Sequence, residues 1–263
     1  MNHLQPTHSA DAAPPQAWTD AELADPHANP EKAERVRRMF AAIARSYDLN
    51  NRLHSFGRDQ AWRRHAVRAA GVRSGDAVLD VACGTGDLTL LFAQTEAARV
   101  VGLDFTPEML DLANAKRARL ATSVQPEFIR GDAQNLPFDD ASFDVVSIAF
   151  GIRNVQRPEQ AIAEFARVLR PGGRLVILEF GQPGFAPIRW LNNFYCGWVM
   201  PRTATLISRD RSGAYRYLPR SIGSFMPRLA MLDLLNRSGF RDGASTPLTF
   251  GVCVCYRAVR VGA

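Results

Sequence analysis

Three carboxylates close three short apolar runs, and each is followed by a turn. Ala77-Val78-Leu79-Asp80-Val81-Ala82 breaks into Cys83-Gly84-Thr85-Gly86. Arg99-Val100-Val101-Gly102-Leu103 ends on Asp104, and Glu127-Phe128-Ile129-Arg130-Gly131 ends on Asp132-Ala133. Apolar runs this short and this rich in β-formers read as buried parallel strands. Gly84 and Gly86 carry no Cβ, so the backbone can turn sharply there and a ligand can lie against it. Asp104 stands eighteen residues past Gly86. A carboxylate at that strand tip can hold a ribose diol through two hydrogen bonds.

Two cofactors fit such a turn, a dinucleotide and S-adenosylmethionine. The spacing here is Asp80-x-Ala82-x-Gly84-x-Gly86, and position 89, where a dinucleotide turn has its third glycine, is Thr. That glycine lets the helix pack closely and receive a pyrophosphate on its N-terminus. Asp80 also opposes a pyrophosphate by like charge, whereas it suits the ammonium of a methionine moiety, directly or through water. Asp132-Ala133 suits the adenine edge and its exocyclic amine. The three acids at three consecutive strand ends therefore point to S-adenosylmethionine.

The elements that must position these residues alternate. Strands are expected over 77–82, 99–103, 127–131, 143–149 and 174–180. Helices are expected over 86–95, from Pro107 to about 121 after a Thr106 N-cap, and over 158–169 before Arg170-Pro171-Gly172-Gly173, a helix stop. Strict β–α alternation predicts a doubly wound parallel sheet of Rossmann-like α/β type. Two further strands, 240–246 and 250–259, predict a C-terminal antiparallel hairpin, making the seven-stranded sheet of a class I methyltransferase rather than that of a dehydrogenase. Residues 31–75 are expected as an N-terminal helical cap over the cofactor. Val36, Met39, Phe40 and Ile43 recur at helical spacing to about Ser46; Tyr47 to Gly57 follow as a short segment, and a second helix covers 58–70. Residues 182–220 break the rhythm. Phe185, Ile188, Trp190, Leu191, Phe194, Tyr195 and Trp198 crowd together among Arg189, Arg202, Arg209, Arg216 and Arg220, which predicts a substrate lid. A helix over 222–238 follows it.

A chain of 263 residues can bury a full core, and 46% apolar residues is ordinary for a globular protein. No apolar stretch approaches the roughly 18 residues needed to span a bilayer. Residues 1–30, with scattered prolines and no apolar period, are expected to be a disordered tail. Cys83, Cys196, Cys253 and Cys255 make neither a disulfide framework nor a zinc site, so a reduced, cytoplasmic, metal-free protein is expected. The net charge is +6. Since residues 1–30 hold acids but no Lys or Arg, the body is more basic still, which suits nucleic acid, an acidic lipid surface or an anionic ligand.

Several stretches carry a resemblance to the UbiE/MenG family of quinone C-methyltransferases, over roughly residues 33–258. They are Tyr47-Asp48 through Asn51 to Ser55-Phe56-Gly57 with Trp62-Arg63; Gly84-Thr85-Gly86-Asp87-Leu88-Thr89; Phe150-Gly151-Ile152-Arg153-Asn154-Val155; Arg170-Pro171-Gly172-Gly173 with Leu178-Glu179-Phe180; and Tyr215-Arg216-Tyr217-Leu218 with Ser221-Ile222. The resemblance implies cofactor contacts at Thr85, Asp104, Asp132 and Ala133. At position 149 the family usually has Ser, and this chain has Ala149. The implied reaction moves a methyl group to a ring carbon of a polyprenylated quinol. An aromatic carbon becomes nucleophilic when an adjacent phenol loses its proton, so the site needs a base or a cation that stabilises phenolate. Arg153 is the expected cation, and Tyr47 and Asn154 are expected to hold the quinol oxygen. Demethylmenaquinol is the expected acceptor, with the polyprenylated methoxybenzoquinol of ubiquinone synthesis or another small molecule as alternatives. The turn after strand four reads Ala149-Phe150-Gly151-Ile152, without the Pro-Pro-aromatic turn of nucleic-acid base N-methyltransferases, so nucleic acid is not an expected partner. The expected partners are the quinol, the inner face of the cell membrane touched by the basic aromatic lid, and a second copy of the chain in a homodimer.

Overall fold

Alternating valine, leucine and isoleucine positions build the centre of the molecule. The computed structural model describes residues 18–122, 124–210 and 212–262. Its strands are β1 (Ala77–Val81), β2 (Arg99–Asp104), β3 (Glu127–Arg130), β4 (Phe143–Ala149), β5 (Leu169–Phe180), β6 (Phe240–Leu248) and β7 (Cys253–Arg260). Hydrogen bonding orders them β3-β2-β1-β4-β5-β7-β6. β1 to β5 run parallel, and the β6–β7 hairpin is inserted antiparallel. The helices before the lid are α1 (Asp20–Ala24), α2 (Lys32–His54), α3 (Arg58–Ala70), α4 (Asp87–Phe92), α5 (Pro107–Arg117) and α6 (Pro158–Val168). The lid contains α7 (Ala186–Phe194), α8 (Met200–Ser208) and α9 (Ala214–Ser224), and α10 (Arg228–Arg237) precedes the hairpin.

The period-two pattern separates the two faces of the sheet. Leu79, Val81, Leu103, Val146, Ile148 and Ile177 pack with Ile162 and Phe165 of α6 and Met231 and Leu235 of α10. Val78, Val100, Val145, Val176 and Leu178 point the other way, onto Trp62 and Ala66 of α3 and Phe92 of α4. Strand order reverses between β1 and β4, which opens a crevice at their carboxyl ends. Two non-glycine residues there adopt the left-handed region, Ala82 (φ 51) just after β1 and Phe150 (φ 57) just after β4. A Cβ on Gly151 would come within 2.7 Å of the Ala82 Cβ, so the two turns touch. Such backbone costs on the order of 1–3 kcal/mol per residue and concentrates at functional sites.

The two glycines of the first turn do different work. Gly84 (φ +55) has only the Tyr47 ring near its missing Cβ, at 4.0 Å. Gly86 (φ +83) faces Phe128 of β3, and a Cβ there would lie 2.8 Å from Cζ. Gly86 is therefore required by packing and by its backbone angle.

Several boundaries differ from expectation. α2 does not stop near Ser46; it continues to His54 and ends where Phe56 (φ 52) and Gly57 (φ 72) turn left-handed. Asp48, Asn50 and Asn51 are weak helix formers, but propensity is a weak prior that tertiary contacts override. Asn50 is buried and donates from Nδ2 to the Tyr215 hydroxyl at 2.8 Å, and Asp48 is held by the first turn. β5 begins at Leu169, because Phe143 pairs with Leu169 and Val145 with Arg174, leaving Arg170-Pro171-Gly172-Gly173 as an irregular excursion. Thr106 is the N-cap of α5 with Pro107 behind it, yet its hydroxyl makes no capping bond. The expected helix over 222–238 is broken at Phe225-Met226-Pro227, where Pro227 becomes the N-cap of α10. The expected disordered tail is corrected over 18–30. α1 starts in a capping box between Thr19 and Glu22, and Trp18 and Leu23 are buried. Two apolar anchors suffice there, and two anchors leave no periodicity to read. The remainder of that tail, 1–17, lies outside the described residues.

Candidate functional site

The crevice at the β1–β4 reversal holds a narrow slot of about 120 Å³. Its floor is made by Gly84 after β1, Asp104 at the end of β2, Asp132 and Ala133 after β3, and Ala149, Phe150 and Asn154 after β4. Phe40 and Tyr47 of α2 cover it. Asp104 is only 8% exposed. Its Oδ2 accepts the Gly84 N–H at 2.8 Å and its Oδ1 accepts the Thr106 N–H at 2.8 Å. Each oxygen keeps a further lone pair, so the carboxylate is aimed and still able to take two hydroxyls. Burial pushes its carboxyl above the usual range, partly offset by those backbone donors. Asp132 accepts the Gln134 N–H at 2.9 Å and faces the same slot. This donor and acceptor set fits a nucleoside carrying a diol and an exocyclic amine. The size fits less well, since ligand sites usually offer about 300–1,000 Å³.

Three expected cofactor residues do not line the slot. Gly86 faces Phe128, as described. Asp80 lies beneath the turn, 1% exposed, with Oδ2 accepting the Thr89 hydroxyl at 2.6 Å and Oδ1 the Ser147 hydroxyl at 2.7 Å. Burial outweighs those two donors and raises its carboxyl to about 6. Thr85 donates its hydroxyl to Asp48 Oδ1 at 2.6 Å and accepts from Lys116 Nζ at 2.9 Å. Lys116 also reaches Asp48 and Asp87, at 2.6 and 2.5 Å. Thr85 is thus a tie between the first turn, α2 and α5. Because the Asp80 carboxyl is raised on folding, the stability it contributes is full below pH 4 and is lost as pH rises through 6. In the cofactor-free protein, stability relative to Asp80→Asn is expected to fall by about 1–1.5 kcal/mol between pH 5 and pH 7.5. Urea unfolding at both pH values checks this, and a constant difference would contradict it.

A second, larger cavity of about 1090 Å³ lies between the cap and the lid. Phe40, Tyr47 and Phe150 line both spaces, so they stand at the junction between them. Arg153 and Asn154 are neighbours in a 3-10 turn (Ile152–Asn154), and both side chains donate to the Phe150 carbonyl, at 2.9 and 3.2 Å. Arg153 lines the large cavity and Asn154 the slot. Asn154 donates from Nδ2 to the Phe150 carbonyl at 3.2 Å and accepts the Tyr217 hydroxyl at 3.1 Å. It therefore sits beside Arg153 on the Phe150 carbonyl while bordering the slot. Tyr47 does stand at the junction, and burial pushes its phenol up, so it enters neutral chemistry as a hydrogen-bond donor.

Arg153 is almost fully buried and pairs through Nη1 with Glu179 Oε1 at 2.5 Å and with the Phe150 carbonyl at 2.9 Å. Its guanidinium carbon lies 5.2 Å from the Phe180 ring centre. Its Nε is buried with no hydrogen-bond partner among the described residues. Glu179 was not singled out from the sequence as a site residue; its signal is a carboxylate closing the apolar run Leu175-Val176-Ile177-Leu178. Arg63 was likewise missed. It pairs with Asp59 at 2.8 Å and sits 5.4 Å from the Phe150 ring centre, so a second buried cation backs the junction.

Comparison with known proteins identifies the family. Residues 28–260 match the ubiE/COQ5 methyltransferase family. A relative from Geobacter sp. (strain M21), named ubiquinone/menaquinone biosynthesis C-methyltransferase UbiE, is 42% identical over 234 residues, which is 86% of this chain and 96% of that protein. One from Deinococcus radiodurans, named demethylmenaquinone methyltransferase, is 44% identical over 223 residues, covering 84% and 91%. Among solved structures, a SAM-dependent methyltransferase from Thermotoga maritima superposes with a TM-score of 0.59 at 18% identity, covering 85% of this chain and 99% of its own, which shows a shared fold. The chain thus belongs to the ubiE/COQ5 methyltransferase family, and it is an enzyme whose methyl donor is S-adenosylmethionine.

Proposed function

We propose that the protein methylates a ring carbon of a polyprenylated demethylquinol, demethylmenaquinol in the first instance. One observation carries the reading: a cavity of about 1090 Å³ meets the cofactor slot at Tyr47 and Phe150, with the buried cation Arg153 on the acceptor side. Bound S-adenosylmethionine supplies a methyl group that is already activated. The protein's own task is to make the acceptor carbon nucleophilic and to align it. Arg153 stabilises the phenolate from a buried position, where such a charge acts strongly. Asp104, Asp132 and Ala133 hold the nucleoside, Tyr47 donates to a quinol oxygen, and Asn154 acts from the slot side. The names of the Deinococcus and Geobacter relatives support a quinone acceptor, and the dual name of the latter keeps the methoxybenzoquinol as the second reading. Mass spectrometry of quinones from a deletion strain tests both. Demethylmenaquinone is expected to accumulate; accumulation of the unmethylated methoxybenzoquinone selects the second reading, and a normal methylated pool overturns both.

The acceptor's isoprenoid tail resides in a bilayer, and the lid offers a surface for it. Trp190, Phe194 and Trp198 stack one turn apart, with ring centres 6.1 and 5.7 Å apart, and are 70%, 48% and 54% exposed. Arg202 covers Trp198 at 4.4 Å. No Asp or Glu occurs from Phe180 to Arg209. An exposed aromatic ladder flanked only by cations suits the interface of an anionic membrane, here as a peripheral contact on its inner face. No helix among the described residues is long and apolar enough to cross a membrane. Co-sedimentation is expected to be stronger with anionic than with neutral vesicles and to drop at least fivefold in Trp190→Ala/Trp198→Ala, each interfacial Trp being worth on the order of 1 kcal/mol or more. Equal binding to both vesicle types, unchanged in the variant, would sink the idea.

A further inference from the structure

Residues 18–27 lie outside the family match, which begins at 28, yet they are bound into the acceptor cavity. Trp18 is 3% exposed and stacks on Tyr217 of α9, ring centres 4.7 Å apart at 27°. Arg35 of α2 flanks the same indole at 5.7 Å and pairs with Glu22 at 2.8 Å. Asp20 forms an ion pair with Arg216 of α9. His27 Nε2 lies 3.0 Å from the Ser221 carbonyl and its Nδ1 lies 3.1 Å from Lys32 Nζ. Those partners select the neutral tautomer that donates at Nε2 and accepts at Nδ1. Lys32 in turn donates to the Val155 carbonyl at 2.7 Å. The segment therefore grips α2, α9 and the turn after β4 at once.

Its inner face is part of the cavity wall. Asp20, Leu23 and Ala24 line the large cavity and none of them lines the slot, whereas the junction residues line both. The reacting ring must sit at the junction with Tyr47 and Phe150, so walls that line only the large space meet the rest of the acceptor. Leu23 is buried among Met39 and Ile43 of α2 and Met200 of α8, an apolar setting suited to a hydrocarbon chain.

We propose that residues 18–27 are a specificity-determining strap, the wall against which the first isoprenoid units of the acceptor pack. Trp18 pins the strap to Tyr217, and Leu23 and Ala24 present its apolar face to the tail. This rests on the quinol reading above. The strap acts on the tail and not on the nucleoside, so its effect scales with tail length.

The test uses the full chain with demethylquinols bearing one isoprene unit or four, together with calorimetric titration of S-adenosylmethionine. In Trp18→Ala the ratio of kcat/KM for the long-tailed to the short-tailed acceptor is expected to fall about tenfold, the scale on which apolar pockets discriminate. Ala24→Phe, at an exposed strap position that lines the cavity, is expected to lower the same ratio by at least that much. The dissociation constant for S-adenosylmethionine is expected to stay within twofold in both. A ratio unchanged in either folded variant, or an equal loss with both acceptors, overturns the strap's role. A wild-type protein that turns over neither demethylquinol while binding S-adenosylmethionine overturns the acceptor reading itself and this inference with it.

Discussion

Arg153→Met is expected to lower turnover of a demethylquinol by about 10²–10³-fold, the usual loss when one preorganised charge-stabilising group is removed. The same variant leaves Glu179, 2% exposed, without its counter-ion. Breaking one partner of a buried pair typically costs about 3–5 kcal/mol, so the denaturation midpoint should drop as well. Loss of activity alone would therefore not distinguish chemistry from folding. The double variant Arg153→Met/Glu179→Gln does. It removes both charges and keeps an acceptor for the Phe180 N–H, which now bonds Glu179 Oε1 at 2.8 Å. Neutralising both members of a buried pair is often neutral or stabilising, so most of the lost stability should return. Turnover should not return, because the cation assigned to the phenolate is gone and Arg63 stays paired with Asp59. Affinity for S-adenosylmethionine should stay near wild type, since Arg153 does not line the slot. Urea unfolding, calorimetry and steady-state assays of the three proteins check the set. A stable double variant with wild-type turnover would remove Arg153 from the chemistry.

Asp104→Asn should weaken S-adenosylmethionine binding by about 10²–10⁴-fold, since hydrogen bonds to a charged group are worth roughly 1.5–3 kcal/mol each and two are at stake. The geometry makes even this small change costly. Both carboxylate oxygens already face backbone donors, Gly84 N–H and Thr106 N–H. An asparagine presents an NH₂ to one of them, donor against donor, at a position that carries the slot. Calorimetric titration with S-adenosylmethionine and with S-adenosylhomocysteine should show parallel losses, because the ribose is common to both. The wild-type affinity should also decline as pH falls, beginning above the ordinary carboxylate range, since burial raises the Asp104 carboxyl and only the ionised form accepts from both hydroxyls. A dissociation constant within threefold of wild type in the Asn variant would show that the ribose is held elsewhere.

The alternation of strands and helices and the place of the cofactor turn are legible in the chain itself, because both are written in short local patterns. Val78 to Val81, Val100 to Leu103 and Val145 to Ile148 are period-two or continuous apolar runs, and the helices between them leave little choice of connection. Asp104 and Asp132 are readable for the same reason, since each is simply the first acid after such a run. Asp80 looks equivalent and is not. A strand pattern states that it ends near the turn but not that Thr89 and Ser147 will close over it. The long α2 is hidden by its own Asp and Asn residues, whose helical state depends on partners at Thr85, Lys116 and Tyr215.

The sequence alone thus determines an α/β methyltransferase sheet, a nucleoside slot at its switch point and, through the stretches around Tyr47, Phe150 and Tyr215, the family of its acceptor. Tertiary structure decides which neighbours face which space. It places Arg153 on the acceptor cavity and Asn154 on the slot, pairs Arg153 in the turn after β4 with Glu179 of β5, and folds Trp18 onto Tyr217. Periodicity is a property of neighbouring residues and survives in one dimension. A pairing between distant residues exists only once the sheet order has brought two strand ends together.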